Sequence, residues 1–373
     1  MPFERLSSFD IENTASKAVH ALRKGQIVVL PTETVYGLAV RASDAVAVQR
    51  LIQLKNRSEN HPFALAFSGI EPIDDFVPEM ELLALRLIRR CLPGPVSLVL
   101  DIPPRESDFY LLPETVQNAV SQTVSQKKTV CFRVPNHQLT LKILAQLGEP
   151  VILTSANRTG QSEKSTVDEI ITELGNGIDL IIDDGLRFEM KPSTVLRVSE
   201  GHYSILREGV LKRETLERLT ARMILFVCTG NTCRSPMAER ICENLIAKRF
   251  HCSLHQLEEH GFVVLSAGVA VGCAAPANPH AIEVLQQQGL DLTDHRSQQL
   301  NETHVRFADH LFAMTRNHRE TILSLWPSAD TRLNVLRTDG GDIADPFGCS
   351  ENVYATCARQ IELEISKRLD EIF

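Results

Sequence analysis

The chain lacks what would mark it for a membrane, an oxidising compartment or a metal. No apolar run approaches the roughly 18 residues that a membrane helix needs. The opening "MPFERLSSFDIEN" carries acidic residues early and has no apolar core, so it is not read as a secretory signal. The nine cysteines are odd in number and none sits in a CxxC pair. Free thiols in a reducing cytoplasm are therefore expected rather than a disulfide framework, and a zinc centre is not expected. An excess of positive charge is also missing. The net charge is −8, with −2 over residues 1–222 and −6 over 223–373, so neither half is a basic nucleic-acid binder overall. Internal repeats and low-complexity segments are absent.

At 373 residues the chain is too long for one ordinary core and suits two domains. Its 43% hydrophobic and 23% charged residues are those of an ordinary globular protein. Helical spacing of Ala15, Ala18, Val19 and Leu22 predicts a helix over 12–24. "DAVAVQRLIQLKNR" (Asp44–Arg57) predicts another, with an acidic start and a basic end that match the helix dipole. "GQIVVLP", "VSLVLDI", "TVCFRV", "PVILTS", "IDLIID" and "STVLRV" read as strands among these helices, so the first half is expected to be α/β with a large mixed sheet. Charged "KRETLERLTAR" then divides two regimes. From Ile224 strand, loop and helix alternate, which predicts a parallel α/β domain with helices on both faces. The expected division is 1–212, a short helical connector 213–222, and 223–373.

The densest chemistry is "VCTGNTCRSPMAE". A strand ends at Cys228, a loop of Thr229, Gly230, Asn231, Thr232 and Cys233 follows, and Arg234 and Ser235 open a helix. Loop N–H groups and a helix N-terminus make an anion site, and the same field favours a thiolate. A planar guanidinium can grip two phosphate oxygens. A thiolate attacking phosphorus also needs a proton donor, and "GDIADPFGCS" offers Asp345. Taken singly, Cys228 could be a small buried hydrophobe and Asp345-Pro346 only a turn; together, at this spacing, they read as a catalytic set.

Together with "SAG" (Ser266–Gly268), "HRSQQL" (His295–Leu300), "ADHLFAMT" and "DPFG", this stretch resembles the low-molecular-weight protein-tyrosine-phosphatase family over residues 223–373. The resemblance implies a cysteinyl-phosphate formed on Cys228, oxygens held by Arg234 and the loop amides, a Ser235 hydrogen bond to the thiolate and a loop braced by Asn231. It also implies Asp345 as acid and then base, a reversible Cys228–Cys233 disulfide under oxidation, and no metal. Thr232 and Phe347 stand where eukaryotic-type members carry an aliphatic residue and tyrosines, as in the bacterial branch that includes protein-arginine phosphatases. Phosphoarginine and phosphotyrosine both remain open as the group removed from a protein substrate. An arsenate reductase is the less favoured alternative, since the remaining cysteines form no obvious relay.

In the first half, "LPTETVYGLAVRA", "LKNR", "LPGPVSLVL", "TVCFRVPNH", "LTSANRTG", "STVLRV" and "LREG" follow one another. They offer hydroxyls and the cations Lys55, Arg57, Arg133 and Arg207, which suit a nucleotide and a carboxylate. This set is similar to the YrdC-like threonylcarbamoyl-AMP synthase family over about residues 10–212. The resemblance implies synthesis of threonylcarbamoyl-adenylate from L-threonine, bicarbonate and ATP with Mg²⁺. It also implies a link to tRNA, through the tRNA threonylcarbamoyl-transferase machinery or double-stranded RNA. Thr34, Arg133 and Ser193 would hold L-threonine. Lys55, Arg57, Thr129, Ser155, Asn157 and Arg207 would hold ATP. Ser58, His61 and Ala66 depart from the family's pattern. The rival reading makes this half an RNA- or nucleotide-binding module that regulates the phosphatase.

Overall fold

The structure, a computed structural model, describes residues 3–57, 61–103, 107–186 and 191–373. Ser58 lies outside the described residues. Backbone contacts divide the chain into two compact units, 1–216 and 217–373. The division falls inside the helix Arg213–Thr220, within the segment read as a connector.

In the first unit the strands are β1 (Glu4–Ser7), β2 (Val28–Leu30), β3 (Gly37–Arg41), β4 (Ala64–Ala66), β5 (Val96–Asp101), β6 (Ser121–Val124), β7 (Lys127–Arg133), β8 (Val151–Ser155), β9 (Leu180–Asp183), β10 (Thr194–Ser199) and β11 (His202–Arg207). They form one mixed sheet in the order β1-β9-β2-β3-β8-β4-β7-β5-β10-β11, and β6 pairs with the free half of β7's edge. Periodicity finds β2, β5, β7, β8, β9 and β10; β1, β3, β4, β6 and β11 escape it, β4 and β6 being short and β1 and β11 mostly exposed. The helix Ala45–Lys55 is capped by Asp44, whose carboxylate accepts from Val46 and Ala47, and it stops at Asn56 in the left-handed region, φ 48°. That stop sets Lys55 and Arg57 at the negative end of the helix. On the face of the sheet carrying Val28, Leu30 and Ala39, the helices Ile11–Arg23 and Gln138–Leu147 close a core with Leu22, Leu139 and Ile143.

The second unit is a four-stranded sheet of β12 (Arg222–Cys228), β13 (Phe262–Gly268), β14 (His310–Ala313) and β15 (Leu333–Val335), ordered β13-β12-β14-β15 and parallel throughout. Alternation along β12 sends Ile224, Phe226 and Cys228 to one face, where the helices Arg234–Phe250 and Glu351–Ile372 cover them. Leu225 and Val227 face the other side, with Leu311, Val305 and Ile322. A central strand buried on both faces and ending at a strand-to-helix turn places that turn at the carboxyl edge of the sheet, where open α/β folds hold ligands.

Candidate active sites

The turn after β12 is tied down from several directions. Cys228 and Thr229 give their carbonyls to the backbone N–H groups of Val269 and Ala270, at 2.9 and 3.0 Å. A side chain on Gly268 would strike the Thr229 carbonyl at 2.5 Å and the Asn231 nitrogen at 3.0 Å, which is why glycine ends the "SAG" stretch. Asn231 adopts φ 53°, a conformation that asparagine tolerates better than most residues. Its Oδ1 accepts from the backbone N–H of Gln298, which fixes the orientation of the amide.

That orientation sets which groups around the thiol have a proton to give. The Asn231 Nδ2 group donates to Ser235 Oγ at 2.9 Å and to Ser266 Oγ at 2.8 Å. Each serine therefore accepts from the amide and has its own hydrogen to give elsewhere. Ser235 has two acceptors for it, Cys228 Sγ at 3.0 Å and, farther off, the Ala267 carbonyl at 3.4 Å, and the Asn231 backbone N–H lies 3.3 Å from the same sulfur. Ser266 points its hydrogen at Glu239 Oε2, at 2.5 Å. Burial raises the Glu239 carboxyl to about 7, against the lowering effect of the Ser266 bond. His295 Nε2 donates to the Asn231 carbonyl at 2.8 Å, and His318 bridges Thr229 Oγ1 at 2.8 Å and Thr315 Oγ1 at 2.9 Å. Burial and the neighbouring Arg234 push His318 down to about 4, so it is neutral near pH 7.

Arg234 is buried. Its Nη1 donates to the Ile343 carbonyl at 3.2 Å and its Nη2 to Asp345 Oδ2 at 2.5 Å, while its buried Nε has no partner. A buried guanidinium with a spare donor beside a ring of loop amides is complementary to an oxyanion. Asp345 is half-exposed at the mouth, with Phe347 exposed two residues on. Cys228 and Cys233 are free thiols, and Cys233 contacts the Tyr354 hydroxyl at 3.3 Å. Desolvation raises the Cys233 thiol.

The first unit holds a cavity of about 500 Å³ over the β6-β7-β5-β10-β11 end of its sheet. Strand parity arranges its floor in rows. Arg207, Val195 and Ser97 are paired across β11, β10 and β5, and Arg133 stands next along on β7. Two residues along, Arg197, Val99 and Cys131 make a second row. Thr129 and Gln122 of β7 and β6 belong to a third. Successive rows are about 6.6 Å apart.

Of the residues singled out in sequence, Arg57, Thr129, Arg133, Ser155, Ser193 and Arg207 line this cavity. Thr34 stands behind Arg133 and accepts from its Nη2 at 2.7 Å, while Glu33 pairs with the same nitrogen at 3.1 Å. Arg133 Nε is buried without a partner, a donor suited to a carboxylate. Arg207 donates to the Ser193 carbonyl and hydroxyl, at 2.9 and 3.2 Å. Lys55 and Asn157 are placed differently. Lys55 is 1% exposed and does not line the cavity. Its Nζ reaches the carbonyls of Ser155 and Asn157 at 2.7 and 2.5 Å, and Asn157 Oδ1 at 3.1 Å, clamping the chain after β8 to the helix Ala45–Lys55. Burial and the neighbouring Arg57 push this ammonium down to about 7. Arg57 is held over the Phe63 ring at 4.4 Å and donates to Thr154 Oγ1 at 3.2 Å. His61, one of the departures, lines the cavity; Ala66, another, is buried on β4 opposite Arg133. Sequence reasoning missed Arg197 and Ser97, although the strands carrying them were read; register across β11, β10 and β5 places them.

The fold and the two sites define a chain of two α/β units, each with at least one buried guanidinium donor left unpaired at its candidate site. A family model described as telomere recombination, for the Sua5, YciO and YrdC proteins, matches residues 20–209. One described as low molecular weight phosphotyrosine protein phosphatase matches residues 223–372. The chain belongs to the first family through its first unit and to the second family through its second, and both are families of enzymes. The second unit is 40% identical over 154 residues to a protein-arginine-phosphatase of Geobacillus stearothermophilus, covering 40% of this chain and 95% of that one. The first is 30% identical over 198 residues to a threonylcarbamoyl-AMP synthase of Pyrococcus abyssi, covering 53% of this chain and 54% of that one. The chain thus spans about half the length of that synthase. A solved structure of Pyrococcus abyssi Sua5 superposes over 72% of this chain and 91% of its own with a TM-score of 0.51, at 22% identity, a likeness of fold. Among the described residues no helix is long and apolar enough to cross a membrane.

Proposed function

We propose that the chain is a bifunctional enzyme. The first unit forms threonylcarbamoyl-adenylate from L-threonine, bicarbonate and ATP, and the second removes phosphate from protein arginine through a cysteinyl-phosphate. The observation that carries the first reading is the Thr34–Arg133 pair with its spare Nε, set in the same cavity as Arg57 and Arg207. Arg133 would bind the threonine carboxylate, with Thr34 fixing the guanidinium and Ser193 near the substrate's polar groups. The threonine nitrogen takes up bicarbonate as a carbamate with loss of water. A carbamate oxygen then attacks the α-phosphorus, and pyrophosphate leaves. Arg57 and Arg207 would offset the phosphate charge, with Thr129 and Ser155 toward the nucleoside; ATP would enter as its Mg²⁺ complex. Lys55 and Asn157 are assigned to holding the nucleotide-side wall in place. The product would pass to machinery that modifies tRNA.

For the second unit, the carrying observation is Cys228 Sγ at 3.0 Å from the Ser235 hydroxyl, beside an Arg234 with a spare buried donor. The thiolate attacks phosphorus, an S–P bond forms and the bond to the leaving group breaks. Arg234 and the loop amides take the oxygens, which releases Asp345 from Arg234 to protonate the departing nitrogen. Water, deprotonated by Asp345, then cleaves the S–P bond and frees phosphate. Phosphoarginine is favoured over phosphotyrosine by Thr232, a small polar residue on the loop, and by the likeness to the Geobacillus enzyme.

Two assays test these readings. Pyrophosphate release should require threonine and bicarbonate together; tight RNA binding without such release would favour the regulatory module. Phosphoarginine protein should be hydrolysed faster than phosphotyrosine peptide, with Cys228→Ser as blank. A tyrosine preference would make Thr232 incidental, and arsenate turnover with thioredoxin would move the unit to another chemistry.

A further inference from the structure

We infer that Arg197 is a phosphate-binding residue of the first unit's cavity, seated between the carboxylate site and the nucleoside site. The inference rests on the synthase reading for the identity of the ligand, but its physical basis is separate. Arg197 lines the cavity, and its Nη1 is buried with no hydrogen-bond partner. An unpaired buried guanidinium donor is expensive to maintain and is satisfied when an anion arrives.

The obvious partner does not reach that donor. Asp101 accepts from Arg197 Nη2 at 3.1 Å, but the same carboxylate also takes the Ser199 hydroxyl at 2.7 Å and Lys127 Nζ at 3.3 Å. Lys127 is itself paired with Glu200 at 2.9 Å, so the cluster holds two cations and two carboxylates, but none of these bonds reaches Arg197 Nη1, which stays buried and unpaired at the cavity. Asp101 acts as an anchor that fixes one edge of the guanidinium and leaves the other edge for a ligand.

Position identifies the ligand group. Arg133 is in the row that would take the threonine carboxylate, with Arg207 at the far end of the same row on β11, and Thr129 is in the row assigned to the nucleoside; Arg197 is in the row between them, one strand in from Arg207 on the phosphate side. In a threonylcarbamoyl-adenylate the phosphate lies between the amino-acid carboxylate and the ribose. A row spacing of about 6.6 Å is comparable with the reach from carboxylate to phosphorus in such a mixed anhydride. Val99 and Cys131, the other members of the middle row, bring no charge, so Arg197 is the cation that row offers.

The test uses the full chain with Arg197→Met, which keeps the aliphatic volume and leaves Asp101 with Lys127 and Ser199, and with Arg197→Lys. Loss of one charge-assisted contact to phosphate should raise the KM for ATP about ten-fold or more and weaken pyrophosphate inhibition by a similar factor. The KM for threonine should stay within about two-fold, and Arg197→Lys should recover part of the loss. Calorimetric titration with ATP gives the same comparison without turnover. If the wild type binds ATP but releases no pyrophosphate, and Arg197→Met weakens that binding, the phosphate site stands and the synthase reading falls. If Arg197→Met melts like the wild type and its KM and affinity for ATP are unchanged, or if the threonine KM rises as much as that for ATP, the inference is overturned.

Discussion

On the proposed reading the two sites solve a similar problem, the capture of a phosphorus-centred anion, by opposite routes. In the second unit the proposed nucleophile, oxyanion donors and guanidinium all come from eight consecutive residues, Cys228–Ser235. In the first, the cations lie on different elements: Arg57 after a helix, Arg133 on β7, Arg197 on β10 and Arg207 on β11. The difference teaches how each site depends on the rest of its unit. A contiguous loop gathers its groups by short spacing and is braced from outside by Val269, Ala270 and Gln298, so damage to it is local and severe. A dispersed site is shaped by strand register, so its members are individually weaker but share one scaffold.

The sharpest break in this comparison is expected from Cys228→Ser, which removes the only nucleophile of its reaction. Dephosphorylation should fall by at least about a thousand-fold, while pyrophosphate release, measured in the same preparation, should not change. Arg133→Ala is the counterpart. It should raise the KM for threonine by about a hundred-fold, the loss expected for a buried charge-assisted pair, with phosphatase kinetics unaltered. Next comes Asn231→Ala, which removes both amide donors and places alanine at φ 53°. We expect kcat to fall about ten- to fifty-fold with a smaller change in KM, because the thiolate loses its aligned Ser235 proton. If KM rose alone, the amide would be serving substrate binding rather than thiol alignment.

Lys55→Met sharpens the contrast from the side of stability. Three oxygen acceptors would lose their ammonium, and the first unit should lose about 2–4 kcal/mol, seen by calorimetry as a lower transition for that unit alone. The smallest expected effect concerns Glu239. Its folded value is about 7 against an ordinary 4.5. Between those two pH values the unfolded chain has released a proton that the folded chain keeps, so stability falls as pH rises through that window. Glu239→Gln, which can still accept from Ser266, should abolish this fall and raise the melting temperature above pH 7. An unchanged pH profile would mean that the carboxyl ionises as freely in the folded state as in the unfolded one.

What was legible in the sequence follows the same division. Cys228, Asn231, Arg234 and Ser235 stand at fixed short spacing, and chain geometry alone brings them to one turn. Ser266, Glu239 and His295 lie in the quoted stretches "SAG", "VCTGNTCRSPMAE" and "HRSQQL", but their roles, like that of His318, arise from packing between helices and loops distant in sequence. In the first unit Arg57, Arg133 and Arg207 were found through their motifs. Lys55 was counted with them because a lysine near a phosphate site resembles any other cation in sequence. Its burial depends on where the helix stops and where the chain after β8 returns, which is tertiary information. Arg197 was overlooked for the opposite reason: its strand was read, but which face of the strand meets the cavity depends on register with β5 and β11.

The Asn231 network also bears on how such a protein can diverge. The groups that align the thiol are pinned beneath the loop and donate to one another, whereas Thr232 and Phe347 belong to its outer side. Mutations at the rim can therefore drift through many side chains and sample new phosphorylated partners, while the buried asparagine is held by two demands at once, a left-handed backbone and a two-donor amide. Selectivity in this lineage is free to wander, and the chemistry beneath it has almost nowhere to go.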